Sequence, residues 1–382
     1  MGLYLDLARL SALVADLPES ARPQFERRFS LGADDSHAPA VVLRAEATGL
    51  TFAAAECDGC LDVTLAYRAS IDPDVGEGLK AVLGIPAQGL VRAGTITFQA
   101  RLFIAPEDGR AKVSIDLWLG LREALRSTFS LLPEQWASVI QEKLEPAERL
   151  LGDARVGALG LLRLRASQES ATGLSTAVRA IHTDRDKNQL YLGLTTNLDV
   201  PQGELFEYAG PVDLGPASLR LRAPRGLFEA LARAALSGRL RAAGNVGKAL
   251  SGSKTRLTLN RLEFANGNIA IGVKLWRTSF PCVEADLALA AKIERGTDGR
   301  LQILLLEPVL ERASRGEARV REAIEQKKDK LRVFGEHLSR FLNEKRIDIG
   351  ESRELQWLPI SAEIGRDSII VDVSIQHTVK QQ

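Results

Sequence analysis

Cysteine is scarce in this chain. Three in 382 residues are too few for a disulfide framework, and the odd count leaves at least one thiol outside any pair within the chain. Charge of one sign is lacking too: 50 basic residues offset 49 acidic ones, for a net charge of +1. That balance argues against a dedicated nucleic-acid binder, which normally carries a clear basic excess. No run of about 18 apolar residues occurs, which excludes a spanning helix. The opening Met1-Gly2-Leu3-Tyr4-Leu5-Asp6 has no basic region followed by an unbroken apolar stretch, so no secretory signal is read. Asp6 stands where a myristoylation motif needs Ser or Thr. The expectation is a soluble, cytoplasmic protein, although a secreted chain trimmed of its signal would read the same.

What the chain does have is an ordinary globular balance, 45% hydrophobic and 26% charged, and enough length for two to three domains. It also has self-likeness. Leu50-Thr51-Phe52-Ala53, an acidic turn and the strand-like Leu61 to Tyr67 are echoed by Leu262-Glu263-Phe264-Ala265, a turn through Asn266-Gly267-Asn268, and Ile269 to Leu275. Asp108-Gly109-Arg110 and Asp298-Gly299-Arg300 each sit between alternating segments. A repeat of about half the chain points to two like domains, 1–204 and 205–382, with the seam in the Gly- and Pro-rich stretch 200–215.

Each half opens on a short alternating segment that feeds a helix. Leu3, Leu5 and Leu7 lead into Leu10, Leu13, Val14 and Leu17; Leu219 and Leu221 lead through Pro224 into Leu227, Phe228, Leu231 and Leu236. The middle of each half alternates apolar with polar residues between Gly, Asp and Pro turns, the pattern of an antiparallel meander with one wet face. A further helix is expected from Leu132 in the first half, with Trp136, Ile140 and Leu144 on one face. Another is expected around Val320, with Ile324, Leu331, Phe334, Leu338 and Phe341 in register. Its charged face reads as solvated surface. Strand pairs over 174–194 and 358–373 close the halves.

The catalytic and metal-binding motifs are weak. Cys57-Asp58-Gly59-Cys60 has CxxC spacing, but only Cys282 and four scattered histidines remain to complete a zinc site. It lies between strands rather than at a helix start, so a hairpin turn with incidental cysteines is favoured, with a local disulfide next. The run from His182 to Asn188 resembles part of a calcium loop. Gln189 stands where the loop needs Gly, so a polar turn is favoured. In the 247–255 segment, Ser253 separates Gly252 from Lys254 and spoils a phosphate-binding loop. His37, His337 and His377 have no triad partner at a suggestive spacing. No metal, cofactor or catalytic residue is assigned, and the protein is read as no enzyme.

Strand, helix, long meander, second helix and closing strands, all repeated, resemble the tandem tubular lipid-binding (TULIP) superfamily, which includes the bactericidal/permeability-increasing proteins. The fragments that carry the resemblance are the strand-to-helix passage from Ser218 to Leu227 and the closing Trp357 to Ile364. The resemblance implies an α+β fold of two tandem domains, each a highly curved antiparallel sheet wrapped around a long helix. It implies a lipid or other apolar small molecule held in grooves between helix and sheet, with transient membrane contact and a protein partner also in view. On that basis the ligand-binding candidates are Leu10, Val14 and Leu17 in the first half and Leu227, Phe228 and Leu231 in the second. The alternative for all six is ordinary packing of helix on sheet. The alternative function is a protein-interaction scaffold of the same fold with a filled interior.

Overall fold

The computed structural model describes residues 1–15, 22, 24–30, 40–74, 80, 89–107, 110–130, 134, 138, 158–164, 176–196, 208–236, 255–265, 267–277, 282–297, 300–325, 339, 345–348 and 353–379. Period-two alternation gives most of these the form of strands. The first half runs β1 (Gly2–Asp6), α1 (Leu7–Ala15), β2 (Gln24–Ser30), β3 (Ala40–Ala54), β4 (Cys60–Asp74), β5 (Leu90–Glu107), β6 (Arg110–Asp116), α2 (Trp118–Phe129), β7 (Ala158–Leu164), β8 (Thr176–Asp184) and β9 (Gln189–Thr196). The second runs β10 (Leu219–Pro224), α3 (Arg225–Leu236), β11 (Thr255–Ala265), β12 (Asn268–Arg277), β13 (Val283–Arg295), β14 (Leu301–Leu305), β15 (Val309–Ala313), α4 (Glu317–Glu325), β16 (Lys345–Asp348), β17 (Arg353–Ile364) and β18 (Ser368–Val379).

The strands form three antiparallel sheets. One is the meander β2-β3-β4-β5-β6-β7; another is β11-β12-β13-β14, with β15 also on β13. The third has seven strands in the order β16-β17-β18-β10-β1-β9-β8. At its centre β1 and β10 pair from Gly2↔Arg222 to Leu5↔Leu219. On the far side of each lies a closing strand of its own half, β9 or β18.

This corrects the expected plan of a curved sheet wrapped around a long helix. The described helices have 9 or 12 residues. Twelve residues of helix span about 18 Å, whereas the 18 residues of β5 span about 60 Å. No such helix can plug the length of such a sheet. The halves are also joined: the backbone edge of β10 needs a hydrogen-bonding partner, and it finds β1. Leu219 and Val373 therefore share one hydrophobic cluster with Leu3, Leu5 and the interior of the first half.

Local chemistry sets the boundaries. Asp6 ends β1 and starts α1, its carboxylate accepting the amides of Ala8 and Arg9 at 2.9 and 3.1 Å as an N-cap does. In β3 the buried positions are odd-numbered from Val41 to Ala47 and even-numbered from Leu50. A register shift between Ala47 and Gly49 absorbs the change and keeps the apolar side inward. β11 does the same between Leu259 and Arg261. The helix α2 falls within 118–129, a stretch that sequence periodicity left unassigned. The expected helix from Leu132 keeps Glu134 and Ser138 as helical residues; Trp136, Ile140 and Leu144 lie outside the described residues, as do Leu331, Phe334, Leu338 and Phe341. Among the described residues, no helix is long and apolar enough to cross a membrane.

The outer side of the seven-stranded sheet is polar and aromatic. One row crosses six strands: His182, Tyr191, Tyr4, Arg220, Asp372 and Ser361. Arg220 binds Asp372 through two N–H donors at 2.6 and 3.0 Å, and the Ser361 hydroxyl also reaches Asp372. Tyr191 packs at a tilt between Tyr4 and Tyr208, and Tyr208 in turn lies flat on His182. Burial above all pushes the phenols of Tyr191 and Tyr208 up to about 12, helped by Tyr4 beside the first and Asp184 beside the second. An unfolded tyrosine ionises near 10. Between about pH 10 and 12 the folded chain therefore holds protons that the unfolded chain has released. Their contribution is complete below pH 10 and fades as pH rises to 12. The melting temperature is expected to fall across that window, with a late phenolate absorbance step near pH 12; two ordinary steps near pH 10 would contradict it.

Candidate functional site: an open apolar sheet face

The two outer sheets are both antiparallel, and they are covered differently. In the first, Val41, Leu43, Leu61, Val63, Leu65 and Ile71 face the interior with no exposed surface at all. Helix α1 is stitched to that face: buried Ser11 donates its hydroxyl to the Leu7 carbonyl and accepts the Phe52 amide at 2.7 Å. Helix α2 closes further along. A methyl group built on Gly120 would meet the Phe98 ring at 2.3 Å and Leu65 at 3.0 Å, so only glycine lets this helix approach. There the space between helix and sheet is filled.

In the second outer sheet the register aligns Phe264, Ile269, Ala291 and Leu305 in one row. Leu262, Ile271 and Leu289 form the next, and Leu259, Val273, Leu287 and Leu310 a third. All lie on the same side, because alternate residues of paired strands share a face. Phe264, Leu262 and Val273 are buried, but Ile271, Leu287, Leu289, Ile293, Ile303 and Leu305 are only half-buried. Part of the face is covered: Ile269, Ile271 and Ile293 pack in one cluster with Leu262, Phe264 and Ile369, joined by Ile364 and Val371 of the seven-stranded sheet, and the Ile303 amide donates to the Ser339 hydroxyl. The cover is incomplete, and an apolar face that keeps some contact with water is the kind that ligands or partners use. On the opposite side Leu304, Leu306 and Val309 are exposed.

The sequence-derived candidates divide. Leu10 and Val14 of α1 are half-buried and pack on the core of the first half, beside the Ser11 stitch. Leu227 of α3 is buried. Phe228 packs edge-on against Phe264, ring centroids 5.8 Å apart, at the border of the open face. Leu17, and the side chain of Leu231 on α3, lie outside the described residues. Among the described candidates, Phe228 is the one that packs with residues of this face. The sheet residues were missed because a groove was sought along helices. One signal was available: residues 287–291 carry no polar side chain, so neither side of β13 there reads as ordinary wet surface.

The remaining motifs are resolved by neighbours. Cys57 and Cys60 are joined, so the local disulfide replaces the incidental cysteines of the first expectation. In the calcium-like turn Asp184 accepts the Lys187 amide and the Tyr208 hydroxyl, and Arg185 pairs with Glu56. The 247–254 segment of the phosphate-loop lookalike lies outside the described residues.

No family model and no curated protein matches the chain. Solved structures do. P47 from Clostridium botulinum A2 aligns with a TM-score of 0.40 and 8% identity, over 98% of this chain and 96% of that one. P47 of Clostridium botulinum E1 gives 0.38 and 9%, over 98% of each. Lipopolysaccharide binding protein gives 0.31 and 9%, over 99% of this chain and 98% of that one.

Proposed function

We propose that the protein binds an apolar ligand, a lipid chain or a molecule of like character, on the open face of the second outer sheet, and that it does so without catalysis. The observation that carries this reading is the incomplete burial of Leu287, Leu289, Ile303 and Leu305 on one side of the second outer sheet, where the corresponding side of the first is sealed. Each methylene removed from water contributes about 0.8 kcal/mol, so a chain burying roughly ten would gain about 8 kcal/mol before ordering costs. No charged partner is required. The chain divides on this reading into units 1–204 and 205–382 that lend strands to the shared sheet, the second being the binding unit. The first unit, filled at Ser11 and Gly120, fits the scaffold role instead.

The test is solvent extraction of the purified protein followed by mass spectrometry, with titration of a fluorescent long-chain fatty acid. Co-purified lipid or saturable binding is expected. Neither lipid nor saturation, with the protein folded, would overturn the reading.

A further inference from the structure

We propose that Cys57–Cys60 is a thiol–disulfide exchange site, in which Cys57 is the sulfur open to an incoming dithiol and Cys60 the sulfur that leaves. The two residues are three apart in the β3–β4 turn. Cys57 is exposed, whereas Cys60 is only 6% exposed. A bond closing so short a loop restrains the unfolded chain least, so stapling explains it poorly.

The turn is also held without the sulfurs. The Cys60 amide donates to the Cys57 carbonyl at 3.1 Å, Ala55 donates to the Cys60 carbonyl, and Leu102 donates to the Gly59 carbonyl at 2.9 Å. Gly59 takes a left-handed φ of 72°, and its amide donates to the Thr183 hydroxyl at 3.0 Å. Asp58, between the cysteines, accepts the Thr183 amide and pairs with His182 at 2.7 Å. Breaking the sulfur bond leaves all of these in place. The two thiols stay poised to bond again, and that is what reversible exchange requires.

The chemistry balances with a dithiol as co-reactant. One of its thiolates attacks the Cys57 sulfur; the bond to Cys60 breaks, and its electron pair goes to the Cys60 sulfur, which takes a proton from water. The second thiol of the reagent, as thiolate, then attacks its own sulfur in the mixed disulfide. It closes the reagent's disulfide and releases the Cys57 thiolate, which takes a proton in turn. Two electrons pass to the protein, and the reverse sequence oxidises a dithiol.

The test uses the full chain with Cys282→Ser, because Cys282 is exposed and forms no part of this bond. Dithiothreitol followed by a mass-tagged alkylating reagent should add two tags to protein whose near-ultraviolet circular dichroism is unchanged. Oxidised glutathione should then restore the untaggable state. In Cys60→Ser, the remaining Cys57 should react with 5,5′-dithiobis(2-nitrobenzoate) at least ten-fold faster than Cys60 does in Cys57→Ser. Tags that appear only on unfolding, or equal rates in the two variants, would overturn the proposal. If either variant fails to fold, the tagging of the parent chain decides it alone.

Discussion

Leu65→Ala is expected to lower the unfolding free energy by about 3–5 kcal/mol, and Leu289→Ala by less than half as much. Both leucines lie on the apolar side of a middle strand of an outer sheet. Leu65 pairs with Leu50 and Ile96, has no exposed surface, and lies under α2. Removing its isobutyl group leaves a cavity that Gly120 and Phe98, already in close contact, cannot fill, so both the transfer and the cavity penalties apply. Leu289 pairs with Ile271 and is half-exposed. Water can enter where its side chain was, and only part of the transfer penalty applies. Urea unfolding of both variants measures the contrast. Equal losses would mean that the second face is sealed like the first.

Leu219→Asp is expected to cost on the order of 4–5 kcal/mol or to prevent folding, because it buries an unpaired carboxylate. The informative part is where the damage falls. Leu219 stands between Leu5 of β1 and Val373 of β18, fully buried in the cluster that also holds Leu3, Leu190 and Leu192. A lesion in the second half should therefore loosen the first. Amide exchange should speed up in β1 and β9 as well as in β10 and β18. Faster exchange confined to residues beyond 205 would show that the shared sheet does not couple the halves.

Much of the strand pattern could be read in advance, because alternation is local. The turns at 185–188 and 365–367 and the strand-to-helix passages at Asp6 and Pro224 are written in adjacent residues. The β1–β10 pairing is not. Gly2 to Asp6 carries no information about a partner more than 200 residues away, so each half was read as closing on itself. Helix α2 escaped for a different reason. Leu117, Leu121, Ala124, Leu125 and Thr128 recur at helical spacing and are all buried, but they directly follow the alternating Val113 and Ile115, and with the next helix placed at Leu132 the stretch between was left unassigned. The candidate site depended on coverage. Ile271 and Leu65 look alike in sequence, and only the arrangement of α1, α2 and α3 determines which stays in contact with water. The bond between Cys57 and Cys60 was open to sequence reading, whereas the grip of Asp58 on His182 and Thr183 links segments about 125 residues apart.

The central claim is that the half-buried apolar side of the second outer sheet, the side of Ile271 and Leu289, holds the apolar ligand. A palmitic acid analogue with a photoreactive group in its acyl chain, cross-linked to the full-length protein and mapped by peptide mass spectrometry, tests it most directly. The account predicts saturable labelling in β12, β13 and β14 that unlabelled palmitate displaces and Ile271→Asp suppresses in folded protein. Labelling centred on β3 and β4, or labelling that neither competitor nor substitution reduces, would contradict it.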